Sequence, residues 1–230
     1  MLFTPKQVPL NWYRYDVGFS IDLLREYVRG VENQIAEGIE AFHKHKEIRI
    51  DEATPHENDV QTVTVHRGLD DETWDLKGVF EDHFPNLQRR GALITLYSFL
   101  EHELNDLCGL FIRDEKVKVS LDDIHGKGIQ RAFLFLEKIA GLRIDKSTPV
   151  WQEVKNIQKV RNRFVHNNGE LRVASGNKQD ELASYIENSK YLMGETEIRI
   201  LDGYLTHVLD TFNLQFQQLD KLIAARFSLH

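Results

Sequence analysis

The chain has 230 residues, 41% apolar and 28% charged, which is globular composition with enough apolar material for one large domain or two small ones. With 36 acidic against 29 basic side chains the formal net charge is -7, so nucleic-acid contact has to come from a local basic patch, and a histone-like or nonspecific DNA coat is disfavoured. The single cysteine, Cys108, makes neither an internal disulfide nor a multi-thiolate zinc site, which fits a reducing, cytoplasmic setting.

Residues 1–17 lack the basic start and apolar run of a secretory signal. No stretch approaches the roughly 18 consecutive apolar residues of a membrane span, so no membrane partner is expected. Trp12, Tyr13 and Tyr15 are expected to pack on the fold as an N-terminal arm. A first helix is expected after Ser20, with Asp22 in its first turn and Leu23, Leu24, Tyr27, Val31, Ile35, Ile39 and Phe42 at spacings of three and four. Gly30 and Gly38 within it point to close packing by another element. From 48 to 84 the helical pattern dissolves. Residues 51–59 are polar with Pro55, and a period-two stretch from Val60 to Val65 follows, so a loop, an edge strand or hairpin, and a short helix around 71–83 are expected.

Regularity resumes at Pro85. Leu93, Leu96, Leu100, Leu104, Leu107 and Phe111 form one stripe through 86–113, with Cys108 at its rim as a buried, inert thiol. A third helix starts at 121 or 128 and ends at Ala140 before Gly141, with Ile129, Ala132, Phe133, Leu136 and Ile139 inward. The next, 149–166, has Thr148 as N-cap, Pro149 in its first turn and Asn167-Asn168-Gly169 as its stop. Residues 171–194 mix Ser175-Gly176-Asn177 with a polar stretch that holds a short helix, and 198–226 close the chain as a long helix through Leu201, Leu205, Leu209, Phe212, Phe216, Leu219 and Ile223. The class is therefore all-α: a bundle of four to five long helices over 85–230, with 1–84 as a less regular part holding a long helix and a short hairpin, packed on the bundle or extending it.

Helix 149–166 carries the chemistry. Val150, Val154, Ile157 and Phe164 mark its core side, while Lys155, Lys159, Arg161 and Arg163 face only Glu153 in opposition. It ends in Arg161-Asn162-Arg163-Phe164-Val165-His166, a phosphate binder and a titratable imidazole five residues apart, with Phe164 and Val165 inside. Five residues rotate about 140° net, so Arg161 must reach, the last turn must unwind, or a second chain must contribute. Asn162 and His166 are four apart on one face, where the amide could hold the imidazole, and the helix dipole favours a cation in that last turn. The spacing alone decides nothing, since Arg49 and His56 match it loosely beside Pro55. The bland alternative is a helix-end histidine with an ion-paired arginine, beside a solvated stripe of Lys155, Lys159 and Arg163 in place of phosphate contacts. Glu101 and Asn105, beside Tyr97, read either as a solvated pair or as supporting site residues. His43 and His45 diverge on a helix, and Gly126-Lys127-Gly128 lacks the length and Ser/Thr of a P-loop, so neither a metal nor a nucleotide cofactor is expected.

The segment Arg161-Asn162 through His166 resembles the signature of HEPN domains, an Arg followed by a polar residue and then His after four to six residues. Tyr97-Ser98-Phe99-Leu100-Glu101 and Leu104-Asn105 resemble the first bundle helix of such proteins. The resemblance covers about 85–230. It implies a metal-independent endoribonuclease that cleaves RNA by 2'-hydroxyl attack to leave a cyclic phosphate. His166 would be its acid or base, Arg161 the phosphate clamp and Asn162 the orienting group, with Lys155, Lys159, Arg163, Glu101 and Asn105 as supporting contacts. It further implies a homodimer with a composite cleft, a role as toxin or antiviral defence effector, and an antitoxin or other regulatory partner. The alternative is a noncatalytic HEPN-like dimerising module that binds RNA, a nucleotide or a protein.

Overall fold

The longest helix, α2 (Phe84–Asp114), bears the stripe expected of it: Leu93, Leu96, Leu100, Leu104, Leu107 and Phe111 are buried, and Tyr97 and Cys108 widen the buried face. A narrow strip through Thr95, Ser98, His102 and Asp106 is what it leaves exposed. The remainder is covered by α1 (Gly18–His45), α3 (Gly128–Lys138), α4 (Pro149–Asn167) and α6 (Tyr204–Ser228), with the short α5 (Glu181–Glu187) between the last two. The computed structural model describes residues 12–50, 62–171 and 181–228, and these are mostly helical. α2 and α6 form the centre of the bundle, and α1 and α4 pack on opposite sides of that pair. The polar stretch 51–59, Val60, His56 and Ser175-Gly176-Asn177 lie outside the described residues.

Several boundaries differ from the sequence reading. α1 begins at Gly18 after a π-helical turn (Tyr13–Val17), and its core-facing residues are Ile21, Val28, Ile35 and Phe42, a strict seven-residue repeat. Leu23 and Tyr27, expected on that face, are 73% and 40% exposed. The chain carries two apolar rows on this helix, and only one can meet α2 and α6. Gly30 and Gly38 are open, because a Cβ at either would touch nothing within 4 Å, so they mark no close packing. Of the N-terminal aromatics, Trp12 is buried edge-on against Phe216 and the Tyr13 hydroxyl donates to Asn213 at 2.5 Å, whereas Tyr15 faces solvent.

The irregular region holds a three-stranded antiparallel sheet, β1 (Glu47–Ile50), β2 (Thr62–His66) and β3 (Leu69–Asp70), with Ile48 opposite Thr64 and Val65 opposite Asp70. A π-helical turn (Gly78–His83) then runs straight into α2, and Phe42, Leu76 and Phe80 form a small second core beneath the sheet. α3 starts at Gly128, and Leu121–Asp123 is a separate 3-10 turn capped reciprocally by Ser120 and Asp123. α6 starts six residues later than expected. Ile198 and Ile200 are buried instead through a hairpin, β4 (Leu192–Met193) with β5 (Arg199–Ile200), because Gly203 in a left-handed conformation separates them from the helix. Among the described residues no helix is long and apolar enough to cross a membrane.

One polar joint ties α4, α5 and α6. The Glu153 carboxylate accepts from the Tyr185 hydroxyl at 2.5 Å and lies 2.7 Å from His207 Nε2. Burial works to raise the Glu153 carboxyl, but the bonds from His207 and Tyr185 outweigh it and hold the group below its ordinary value. A carboxyl depressed in the native state stabilises the fold above its unfolded value, near 4.5, and that contribution disappears as pH falls through the native one. Glu153→Gln therefore lowers stability at neutral pH by about 1–3 kcal/mol. Urea unfolding checks this: the gap between wild type and variant is present near neutrality and closes as pH falls below the unfolded value through the native one.

Candidate functional site

α4 is bounded as its sequence dictates. Thr148 accepts from the Trp151 amide at 3.3 Å, Pro149 opens the first turn, and Asn168 takes a left-handed conformation at the C-cap. Its core side is Trp151, Val154, Ile157, Val160 and Phe164, with Val150 only partly buried. The helix stays intact through Asn167, so its last turn does not unwind to aim His166. Arg161 and His166 are thus separated by about 7.5 Å along the axis and about 140° around it.

Arg161 stands at the rim of the core between α4 and α2. Its guanidinium lies over the Tyr97 ring, 5.0 Å from the centroid, and Nη1 donates to Asn162 Oδ1 at 3.0 Å. Nη2 is 3.9 Å from Glu101, a loose contact between side chains 21% and 27% exposed. Among the described residues its Nε is buried with no hydrogen-bond partner. Burial, followed by the Glu101 charge, pushes the Tyr97 phenol well above its ordinary value against the pull of Gln158 and Arg161, so Tyr97 is a neutral aromatic platform. Glu101 is itself backed by Gly128 at the start of α3, where any side chain would strike its carboxylate.

The remaining site residues of the sequence reading are dispersed. Asn162 orients Arg161 by accepting from its guanidinium, and among the described residues its amide makes no hydrogen bond to His166. His166 is exposed, and Val165 beside it is 44% exposed, so Val165 does not join Phe164 inside. Lys155 donates to Gln158, and burial, with Lys159 adding to it, lowers its pKa. Lys159 is half-buried two turns before His166. Arg163 Nη1 donates to the Glu170 carbonyl at 3.1 Å and so braces the turn after α4. Asn105 lines a groove with Trp12 and Asp16, and among the described residues nothing bonds it to Arg161. The opposing acid of the helix, Glu153, turns away into the joint with Tyr185 and His207, which leaves the Arg161 side of α4 basic. Cys108 is buried and its thiol pushed up to about 12 by that burial, which makes it unreactive.

The sequence reading missed the clamp that fixes the end of α4. Arg90 of α2, 7% exposed, stacks 4.6 Å over the Phe164 ring, pairs with Glu197 and donates to Asn168 Oδ1 at 3.3 Å. Asn86, one turn earlier, donates to the Ile198 carbonyl at 3.2 Å and accepts from the Ile200 amide at 3.0 Å. The Ile198 amide in turn donates to the Gly169 carbonyl at 2.9 Å, so α2 grips both the turn after His166 and the strand beside it. Gly169, at φ +84°, is required twice over, since a Cβ would lie 2.8 Å from Phe164 and 3.1 Å from Arg90. Nothing local in the sequence signals this clamp, because its partners are about 80 to 110 residues from Arg90.

No family model, curated protein or solved structure matches the chain.

Arg90→Ala leaves Glu197 and Asn168 without their donor and is expected to cost about 1–3 kcal/mol. Glu197→Gln, which keeps the stack on Phe164 and the bond to Asn168, should cost less. Thermal unfolding ranks the two variants, and hydrogen exchange should show faster opening at Gly169 and Ile198 in Arg90→Ala, with the amides of α3 unchanged.

Proposed function

We propose that α4 is the working helix of a metal-independent endoribonuclease. The observation that carries this reading is Arg161: a largely buried guanidinium on an aromatic platform, with only a 3.9 Å contact to a carboxylate, on a helix that also presents an exposed His166. A guanidinium held at the rim of the core with no close carboxylate can give its charge-assisted N–H donors to a phosphate oxygen.

In this reading the ribose 2'-oxygen attacks the adjacent phosphorus, the bond to the 5'-oxygen breaks, and a 2',3'-cyclic phosphate and a 5'-hydroxyl result. The proton leaves the 2'-hydroxyl and one is delivered to the departing 5'-oxygen, with His166 as the acid or base. Arg161 holds the non-bridging oxygens as charge develops on them, and Asn162 keeps its guanidinium aligned. DNA lacks the attacking hydroxyl and is not cleaved. Because α4 remains helical, Arg161 and His166 of one copy diverge, and a homodimer that faces two α4 ends across one cleft brings an arginine of one copy to a histidine of the other. The HEPN resemblance of 161–166 supports that arrangement, as well as a role as a toxin or antiviral effector under an antitoxin-like partner.

A noncatalytic RNA-binding module is the second reading. It is favoured by one observation: Asn162, Tyr97 and Glu101 hold Arg161, while among the described residues no hydrogen bond orients His166.

Gel cleavage of mixed cellular RNA in EDTA, with end analysis, tests the choice. Wild type should leave cyclic phosphates, and His166→Ala and Arg161→Ala should each lose about 10²–10⁴-fold in rate. Activity that survives His166→Ala overturns the mechanism. Salt-sensitive RNA binding without turnover in any variant selects the binding module.

A further inference from the structure

The outer face of α1 is apolar along four turns. Tyr15, in the π-helical turn that leads into it, and Phe19, Leu23 and Tyr27 follow at intervals of four and are 61%, 68%, 73% and 40% exposed. Side chains of that size leave roughly 400–500 Å² of apolar surface in water, the scale of patch that marks an association site on a protein surface. The row contributes little to this fold, because the other row on the same helix, Ile21, Val28, Ile35 and Phe42, is the one that is buried.

Carboxylates border the exposed row. Asp16, Asp22 and Glu103 have no ion-pair partner among the described residues. Asp16, Glu103 and Asp106 edge a groove of about 550 Å³ that begins at Trp12 and Tyr15. Burial raises the Glu103 carboxyl, and Asp106 and Asp16 add to that against the pull of His102, so the groove holds like charges that an incoming cation would relieve. Of the basic side chains nearby, Arg113 pairs with Asp114 at 2.8 Å, Arg29 with both oxygens of Glu26 and Arg25 with Asp210 at 2.9 Å, while Arg14 lies over the Tyr15 ring, 5.7 Å from its centroid.

An apolar row beside uncompensated carboxylates is complementary to a helix whose apolar stripe is flanked by Lys and Arg. A second copy fits poorly, since antiparallel α1 on α1 sets Asp22, without an ion-pair partner among the described residues, against its own counterpart. RNA is repelled by the same carboxylates. We propose that this face of α1 docks a basic amphipathic helical segment of a protein partner. α1 lies across the α2–α6 pair from α4, so a partner seated there leaves Arg161 and His166 uncovered. The inference is independent of the endoribonuclease reading and stands or falls without it.

Fluorescence anisotropy of the full chain tests it, using a labelled amphipathic Leu/Lys peptide of about 18 residues and its Leu/Glu counterpart. The Leu/Lys peptide should bind with Kd in the micromolar range and the Leu/Glu peptide should not. Phe19→Asp with Leu23→Asp should weaken binding at least about tenfold with no change in the thermal midpoint, and Asp16→Lys with Asp22→Lys should weaken it as well. Equal binding of both peptides overturns the proposal, as does Leu/Lys binding that Phe19→Asp with Leu23→Asp leaves unchanged, which is attraction to net charge alone. A wild-type dimer that this double variant converts to monomer in sedimentation velocity also overturns it, by assigning the face to a second copy.

Discussion

The arrangement of the whole chain follows from how little of α2 can face water. Its exposed residues, Thr95, Ser98, His102 and Asp106 among them, make one narrow strip, and the rest of its circumference needs cover. α1, α3, α4 and α6 supply it. Each covering helix then has a defined inner face, and whatever it carries beyond that face is left for other work. The polar residues on the flanks of α2 inherit a further property. Tyr97 is fully buried and Glu101 is half-buried, so an arginine arriving from α4 meets them in a medium where a charge interacts strongly and is costly to leave unpaired. That is why Arg161 both stacks on Tyr97 and leans on Asn162.

The same packing sorts the charges of a net-acidic chain. Glu153, the acid that would neutralise the basic side of α4, is drawn into the joint with Tyr185 and His207. Arg25, Arg29 and Arg113 are tied to carboxylates, which leaves Asp16 and Asp22 uncompensated beside an apolar row. A formal charge of -7 thus resolves into a basic edge on α4 and an acidic, apolar face on α1, on opposite sides of the central helix pair.

The sequence made the helices legible where one apolar row was present and the ends were punctuated. Thr148 and Pro149 at one end of α4, and Asn168 with Gly169 at the other, bound it correctly because capping is local chemistry. α1 was misread because Leu23 and Tyr27 interleave with Ile21 and Val28, and spacing cannot say which row meets the core. The early part of α6 was misread because Ile198 and Leu201 continue its apolar period, although a hairpin and Gly203 intervene. At the site, Arg161 and His166 could be read from composition and position, whereas Arg90, the joint at Glu153 and the true partner of Asn162 could not. Those depend on which helices become neighbours, and that is settled by the packing around α2.

The intactness of α4 has a mechanistic consequence. A helix that ends at Asn167 fixes Arg161 and His166 on different faces, and the Arg90 clamp on Asn168, with the Gly169-to-Ile198 bond, prevents the end from unwinding to bring them together. Arg161 is also held on Tyr97, pointed at the α2 flank and away from the exposed His166. Two groups held apart by a rigid scaffold act on one phosphate only if the nucleic acid spans them or a second α4 end supplies the missing member. A phosphate at Arg161 and a reacting hydroxyl near the histidine of another copy would meet both geometric demands without moving any part of this fold, and in the proposed dimer the clamp that holds the pair apart would make that cleft reproducible.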